Sequence, residues 1–284
     1  MEPKDKYDDK VQERFILSLA IPQGKGKDAI WEEIFEKLER TASNPYARFW
    51  EVTRKIAAMF IGLMVIGSIL WIFLFGSVKH YAPYGHHMVV MLPDSSKVKL
   101  NADSELKYNK VLWAISRKVS LKGEALFEVR RGKDFKVKTG SVATRVLGTT
   151  FNIYARNQSV LVSCIEGKVQ VKHTKSKQAY ILYPEQKIAS KKGSLTTPEP
   201  AAKPKIASWI NGEFLFTNET LENVFNEVER QYNIKIRLNT SGQRLYSGAF
   251  KNSNLDEALE LICLPMNLTW KKENGYIVIN EKQE

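Results

Sequence analysis

A chain of 284 residues has room for about two domains. Its net charge of +12 comes from the middle: residues 79–205 carry 24 basic against 9 acidic side chains, residues 1–55 carry 11 of each, and residues 206–284 carry 8 against 11. Such an excess points first to a polyanion. The lysines alternate along strands instead of clustering on one helix, so a solvated surface is the expectation and direct nucleic-acid binding is not.

Residues 1–44 have a helical pattern. "KVQERFILSLA" sets Val11, Phe15 and Leu19 four residues apart, and "DAIWEEIFEKLER" puts Ile30, Ile34 and Leu38 on one face with Trp31 and Phe35 beside them. Two amphipathic helices of this size bury too little surface to be stable alone, so their apolar stripes are expected to meet one another or a partner. Asn44-Pro45 then reads as an N-cap with proline at the first helical position. The helix it opens, over 45–78, contains a run of 23 residues, Ile56 to Val78, with no charge and no proline. At about 1.5 Å per residue the run makes roughly 35 Å, enough to cross a hydrocarbon core of ~30 Å. It starts too far from Met1 for a signal peptide, and no small-residue cleavage pattern follows. Lys37, Arg40, Arg48, Arg54 and Lys55 precede the span, whereas Lys79 and then Lys97 follow it. The positive-inside bias therefore predicts a single-pass protein with a cytoplasmic amino terminus and everything after Val78 outside.

Residues 79–189 read as all-β. "VVMLPDSSKVKLN" is strand, turn, strand; "KVSLKGEALFEV" places Val119 and Leu121 inward, turns at Lys122-Gly123-Glu124, and resumes with Ala125, Phe127 and Val129. Phe135 with Val137, Val142 to Leu147, Val160 to Ile165, and Val169 with Val171 continue the rhythm. Short strands at this spacing fit a sandwich, a barrel or a solenoid. Residues 190–205, "SKKGSLTTPEPAAKPK", have three prolines and no apolar period, which predicts a linker and a final module not tightly fused to the β-domain. Residues 206–284 follow the order β-α-β-β-α-β-β. Asn218 with Thr220, and then Asn254, stand before helices carrying Leu221, Val224, Phe225 and Val228, and Leu255, Ala258, Leu259 and Ile262; "LTWKKENGYIVIN" is a hairpin turning at Glu-Asn-Gly. This is a small α+β module.

Chemistry is sparse. There is no Gly-rich phosphate loop, Cys-x-x-Cys or His-x-x-x-His. Cys164 and Cys263 sit in apolar patterns and read as small buried hydrophobes, with one long-range disulfide open to them outside the cytoplasm. His86-His87 follow the span with no carboxylate or cysteine cluster, so neither metal nor cofactor is expected. His80, His86, His87 and His173 offer no triad for a serine or threonine nucleophile, and no trans-acting enzyme is expected. In "RVLGTTFNIYAR" the alternation stops at Leu147, is broken by Gly148-Thr149-Thr150, and resumes at Phe151. A phosphate site would need a helix N-terminus next, but "FNIY" reads as strand. A glycine corner in the sheet is the structural reading.

The pieces "LPDSSKVKLNADSELKY", "RKVSLKGEALFEV", "RVLGTTFNIYA" and "SVLVSCIEGKVQV" resemble, in order, the FecR-like anti-sigma factors, which are inner-membrane sensors. "FLFTNETLENVFNEVERQYNIKI", "FKNSNLDEALELI" and "WKKENGYIVIN" look like the carboxy-terminal module of Bacteroidetes relatives, similar to the short secretin/TonB-type domain. The resemblance implies an amino-terminal segment that holds an extracytoplasmic-function sigma factor; residues 1–44 match the family poorly, and it is their apolar stripes that make Phe15, Leu19, Trp31, Ile34, Phe35 and Leu38 the expected contacts. It implies that the terminal module meets the signalling domain of a TonB-dependent transporter across the inner membrane, and that release proceeds by stepwise proteolysis. It also suggests a second reading of Gly148-Thr149, a self-cleaving bond: attack by the Thr149 hydroxyl on the Gly148 carbonyl moves the acyl group from nitrogen to oxygen, and water hydrolyses the ester. A non-signalling envelope scaffold anchored in the inner membrane is the alternative, and an envelope enzyme a remote second one.

Overall fold

The computed structural model describes residues 26–41, 45–191, 193–202, 206–240 and 243–282. The pattern around Val11, Phe15 and Leu19 and the Asn44 cap lie outside the described residues. The chain divides into two units, residues 1–68 and 69–284.

In the first unit, α1 (Lys27–Thr41) carries Asp28 in its first turn, where a negative charge suits the helix dipole. The long helix α2 (Pro45–Phe75) begins with proline at its first position, as expected, and runs past Ser68 so that its last turns, from Ile69, belong to the second unit. Its stretch Phe49–Ile72 has a mean hydropathy of 2.1, and none of its most apolar window is buried against protein. By length and composition this helix can cross a membrane. Within Phe49–Ile72 the hydroxyls of Thr53 and Ser68 donate one turn back to the carbonyls of Phe49 and Met64, so neither is left unpaired in hydrocarbon. The apolar run was expected to stay helical to Val78, but the helix ends at Phe75. A Cβ on Gly76 would lie 2.5 Å from the Ile72 carbonyl oxygen and 2.6 Å from Asn109 Oδ1. Asn109 Nδ2 caps that same Ile72 carbonyl at 3.1 Å. Ser77 and Val78 already pair in a sheet.

In the second unit the chain forms β1 (Ser77–Ala82), β2 (Met88–Met91), β3 (Lys97–Leu100), β4 (Ser104–Asn109), β5 (Arg117–Glu128), β6 (Phe135–Thr139) and β7 (Val142–Val146). There follow β8 (Thr150–Arg156), β9 (Ser159–Glu166), β10 (Val169–His173), β11 (Ala179–Leu182), β12 (Gln186–Lys191), β13 (Ser194–Leu195) and β14 (Glu199–Pro200). One sheet runs β1-β4-β5-β6-β7-β10-β11. The other runs β2-β3-β5-β8-β9-β12, with β13 and β14 on β12. Strand β5 belongs to both: Val119 to Lys122 pair with β4, Gly123 to Glu128 with β8. The expected turn at Lys122-Gly123-Glu124 is thus a bend inside one long strand. Gly123 has φ +91°, a conformation costly for any residue with a Cβ.

The two sheets close on one core. Phe127 stacks on Phe151 at 5.0 Å, and Phe135 from the other sheet meets it edge-on at 6.2 Å. By layers this is a sandwich, and the hairpins β2-β3, β6-β7, β8-β9 and β10-β11 lie alternately in its two sheets. The expected linker is partly strand: Ser190 and Lys191 lie in β12, and the short strands β13 and β14 fold back on it. Pro200 is accommodated because β14 is an edge strand that needs no N–H from it.

The terminal module keeps the expected order: β15 (Glu213–Thr220), α3 (Leu221–Tyr232), β16 (Ile236–Asn239), β17 (Leu245–Lys251), α4 (Leu255–Cys263), β18 (Leu268–Glu273) and β19 (Tyr276–Glu281). Thr220 caps α3 through the N–H of Asn223, and Asn254 caps α4 through those of Asp256 and Glu257. Asn274 and Gly275, both at positive φ, turn the last hairpin. Leu126 of β5 is buried in the core of this module beside Val224, Phe225 and Leu259. The module is therefore packed on the β-domain, against the expectation of a loose attachment. Cys164 and Cys263 are free and buried in different cores, so they do not pair; burial pushes both thiols up to about 11.

Candidate functional site

Three places carry the functional residues. On α1, the sequence sets Trp31, Ile34, Phe35 and Leu38 along one flank, and the structure leaves them 57%, 41%, 62% and 59% exposed. Among the described residues nothing covers this stripe, although the other face of α1 is charged enough to solvate the helix. Phe15 and Leu19 lie outside the described residues.

The second place is the corner at Gly148-Thr149. A Cβ on Gly148 would stand 2.7 Å from Arg131 Cα, so the strand can pass this backbone only with glycine here. Gly167, at φ +83°, faces the same peptide: its Cβ would lie 2.9 Å from Thr149 Oγ1 and 3.0 Å from the Gly148 oxygen. Two glycines thus clear space around one peptide bond, beside a recess lined also by Val129, Arg131 and Glu166. Thr149 is buried, and its hydroxyl donates to the Lys168 carbonyl at 3.0 Å. A carbonyl orients the hydroxyl but cannot take its proton. No described side chain hydrogen-bonds to Thr149 Oγ1 as a base would.

The third place was not anticipated. Between the β-domain and the module lies a buried polar junction. Glu124, at the bend of β5, accepts from Asn101 Nδ2 at 2.9 Å and Asn152 Nδ2 at 2.8 Å. The Asn152 carbonyl oxygen accepts from Trp209 Nε1, and that of Asn101 accepts from Gln231 Nε2 at 2.9 Å. Gln231 also donates to Glu227 at 2.7 Å, while Arg230 holds the other Glu227 oxygen through Nε and Nη2. The Arg230 carbonyl receives the Gly85 N–H at 2.7 Å, and His87 Nε2 lies 3.1 Å from Gln231 Oε1. His87 is therefore engaged by the module, and the described residues hold no cluster of three metal-ligating side chains. Alternation gave no sign of this junction, because Asn152 lies on the face of β8 opposite Phe151 and Ile153, where a polar residue looks solvent-facing. The one available signal was Glu227, Arg230 and Gln231 at three- and four-residue spacing on a helix flank.

Burial raises the Glu124 carboxyl, nearby Glu227 adds to the rise, and Arg156 with the two asparagine amides opposes it. A carboxyl held more tightly protonated in the fold than in the unfolded chain favours folding below the unfolded value, about 4.3. That contribution is lost as pH rises through the folded value. Relative to Glu124→Gln, the wild type should therefore lose stability as pH rises from about 4. Chemical denaturation across pH checks this, and a constant difference between the two would contradict it.

The family model described as "FecR protein" matches residues 81–170, and that described as "FecR, C-terminal" matches residues 213–279. The chain belongs to the FecR family. Two crystal structures described as a "putative anti-sigma factor" from Parabacteroides distasonis resemble this FecR chain at 28% identity and a TM-score of 0.67. They cover 73% and 72% of it and 100% of their own chains. No curated protein matches. Asn101, Glu124 and Asn152 lie in the first matched region, and Glu227, Arg230 and Gln231 in the second, so the junction joins the two FecR parts. Gly148-Thr149 falls in the first; α1 lies outside both.

Proposed function

We propose that this chain is a single-pass anti-sigma factor of the inner membrane. Its cytoplasmic amino-terminal segment holds an extracytoplasmic-function sigma factor, and its β-domain and module lie in the periplasm. The observation that carries the reading is the uncovered apolar stripe of α1, placed just before a membrane-length helix in a FecR-family chain. An anti-sigma role is further supported by the solved neighbours. The lysine and arginine asymmetry around the span supports the orientation.

Trp31 and Phe35 are large apolar anchors of the kind whose truncation often costs more than ~1 kcal/mol at an interface. Trp31→Ala with Phe35→Ala is expected to release transcription from a reporter driven by the bound sigma factor, with membrane levels of the chain unchanged. A silent reporter at normal membrane levels would favour the alternative of a non-signalling scaffold.

On the outer side, the module would receive the signalling domain of a TonB-dependent transporter along a strand edge. In its three-stranded sheet, among the described residues, β16 and β18 each pair only with β19, and such edges can be extended by a partner strand. Stepwise proteolysis would then free the cytoplasmic segment.

Gly148-Thr149 serves as a structural corner in this reading, because the close approach of Arg131 requires glycine and the Thr149 hydroxyl is spent on Lys168. The family resemblance gives the competing reading of self-cleavage. After prolonged incubation and denaturation, the purified chain is expected to weigh its full mass. A fragment beginning at Thr149 that disappears in Thr149→Ala would instead establish cleavage.

A further inference from the structure

The loop between β4 and β5 has an unusual surface. Val111 is 56% and Ile115 85% exposed, and Leu147, which lines an open recess together with Ile115, is 57% exposed. Isolated exposed aliphatics need no explanation, but these three gather at one end of one sheet. The strand register fixes that end: Ser77 pairs with Asn109, Arg117 with Phe135, and Phe135 with Val146. It is also the end at which α2 arrives. β1 starts two residues after the helix stops, the Lys110 N–H donates to the Gly76 carbonyl at 2.8 Å, and Asn109 Nδ2 donates to the Ile72 carbonyl.

The same end is cationic. Lys118 stands opposite Lys136, and Lys136 opposite Arg145; Lys133 and Asp134 line the recess with Ile115. Arg145 is committed to Asp134 and Arg117 to Asp94. Lys110, Lys118, Lys133 and Lys136 are exposed, and among the described residues none of them has an acidic partner within ion-pair distance. Aliphatic side chains ringed by free lysines, at the point where an apolar helix leaves the bilayer, match the layered chemistry of a lipid interface. Acyl-chain boundary lies below, and phosphate lies above.

We propose that this end of the β-domain rests on the membrane, with Val111 and Ile115 entering the interface and Lys110, Lys133 and Lys136 facing anionic lipid phosphates. The inference rests on the membrane-spanning reading of α2. Lysines near an anionic surface attract it electrostatically and lose that attraction within a Debye length, so the contact should depend on lipid charge and on salt. Held this way, the β-domain would keep a fixed attitude to the bilayer, and a pull on the module would be transmitted to the span instead of being dissipated by free rotation at Gly76.

The test uses the full chain, reconstituted in vesicles of phosphatidylcholine alone or of phosphatidylcholine mixed with phosphatidylglycerol. Cys164 and Cys263 are buried with raised thiol pKa values, so an Ile115→Cys variant can be labelled selectively with an environment-sensitive dye. Lipids carrying a nitroxide near the headgroup are expected to quench that dye, more strongly with phosphatidylglycerol. Quenching should weaken in high salt and in the combined variant Lys110→Gln, Lys133→Gln, Lys136→Gln, whose thermal midpoint should match the parent. A second label at Ile66→Cys, read with nitroxide deep in the acyl chains, reports the span by itself. If that label is not quenched, the membrane-spanning reading fails. If it is quenched while the label at position 115 is not, or is so regardless of lipid charge and of the three substitutions, the interfacial contact is overturned. Binding of soluble polyglutamate at these lysines in place of lipid would overturn it in favour of an acidic protein partner.

Discussion

Gly123→Ala is expected to destabilise the β-domain by more than ~3 kcal/mol, among the largest effects open to a single methyl group. The position has φ +91°, and the added Cβ would lie 2.5 Å from Ser104 Oγ and 2.7 Å from both the Asp103 carbonyl oxygen and Ser104 Cα. Two of the three obstacles are backbone, so no side-chain rotation relieves them. Relief requires β5 to shift at the bend where it leaves one sheet for the other, and the pairings with β4 and β8 meet there. It would also move Glu124, the next residue, out of the junction. For a folded unit of this size the loss corresponds to a fall in Tm of at least ~6 °C. Thermal unfolding of the full chain in detergent measures it, and a Tm within ~2 °C of wild type would contradict the account of the bend.

Arg230→Ala is the second large effect. The Arg230 and Glu227 side chains are only 7% and 5% exposed, and Arg230 reaches one Glu227 oxygen through two nitrogens. Removing one partner of a buried pair leaves an uncompensated charge and typically costs 3–5 kcal/mol, about the value expected here. The remaining Glu227 carboxylate also faces Glu124, which Glu227 already pushes towards its protonated form. The loss should therefore be greatest at neutral pH and smaller in acid. The double variant Glu227→Gln with Arg230→Met should recover much of it, since no charge is left unpaired. Hydrogen exchange is expected to rise together at Gly85, Asn101 and α3 in Arg230→Ala. If exchange rises only within α3, the pair supports its own helix and not the junction.

The contrast between these sites and the rest of the fold shows what a one-dimensional pattern can carry. The terminal module was legible almost element by element, because its signals are local: Thr220 and Asn254 cap helices, Asn274-Gly275 turns a hairpin, and Leu221, Val224, Phe225 and Val228 mark one face of a helix. The apolar stripe on α1 was equally local. Gly123 misled because a glycine between two alternating runs looks the same whether it closes a hairpin or bends a continuous strand. The difference lies in which strands stand beside it. The region around Pro198 and Pro200 looked like a linker because proline and small residues lack periodicity, yet short edge strands need little periodicity to pair with β12. The end of the span was misplaced for a similar reason. Hydropathy continues through Ser77 and Val78, but Asn109, far along the chain, caps the helix at Ile72. The junction was the least visible. Asn101, Glu124, Asn152 and Gln231 are polar residues at positions that look solvated until the module covers them.

The central claim is that residues before the span hold a sigma factor. The most direct measurement is to tag the full chain at its carboxy terminus, solubilise it from membranes, and identify the proteins that stay bound. The account predicts an extracytoplasmic-function sigma factor in near-equal amount with the wild type, and its loss when Trp31 and Phe35 are both replaced by alanine. A chain recovered intact with no sigma factor, or one that keeps its sigma factor after both substitutions and after removal of residues 1–44, would contradict it.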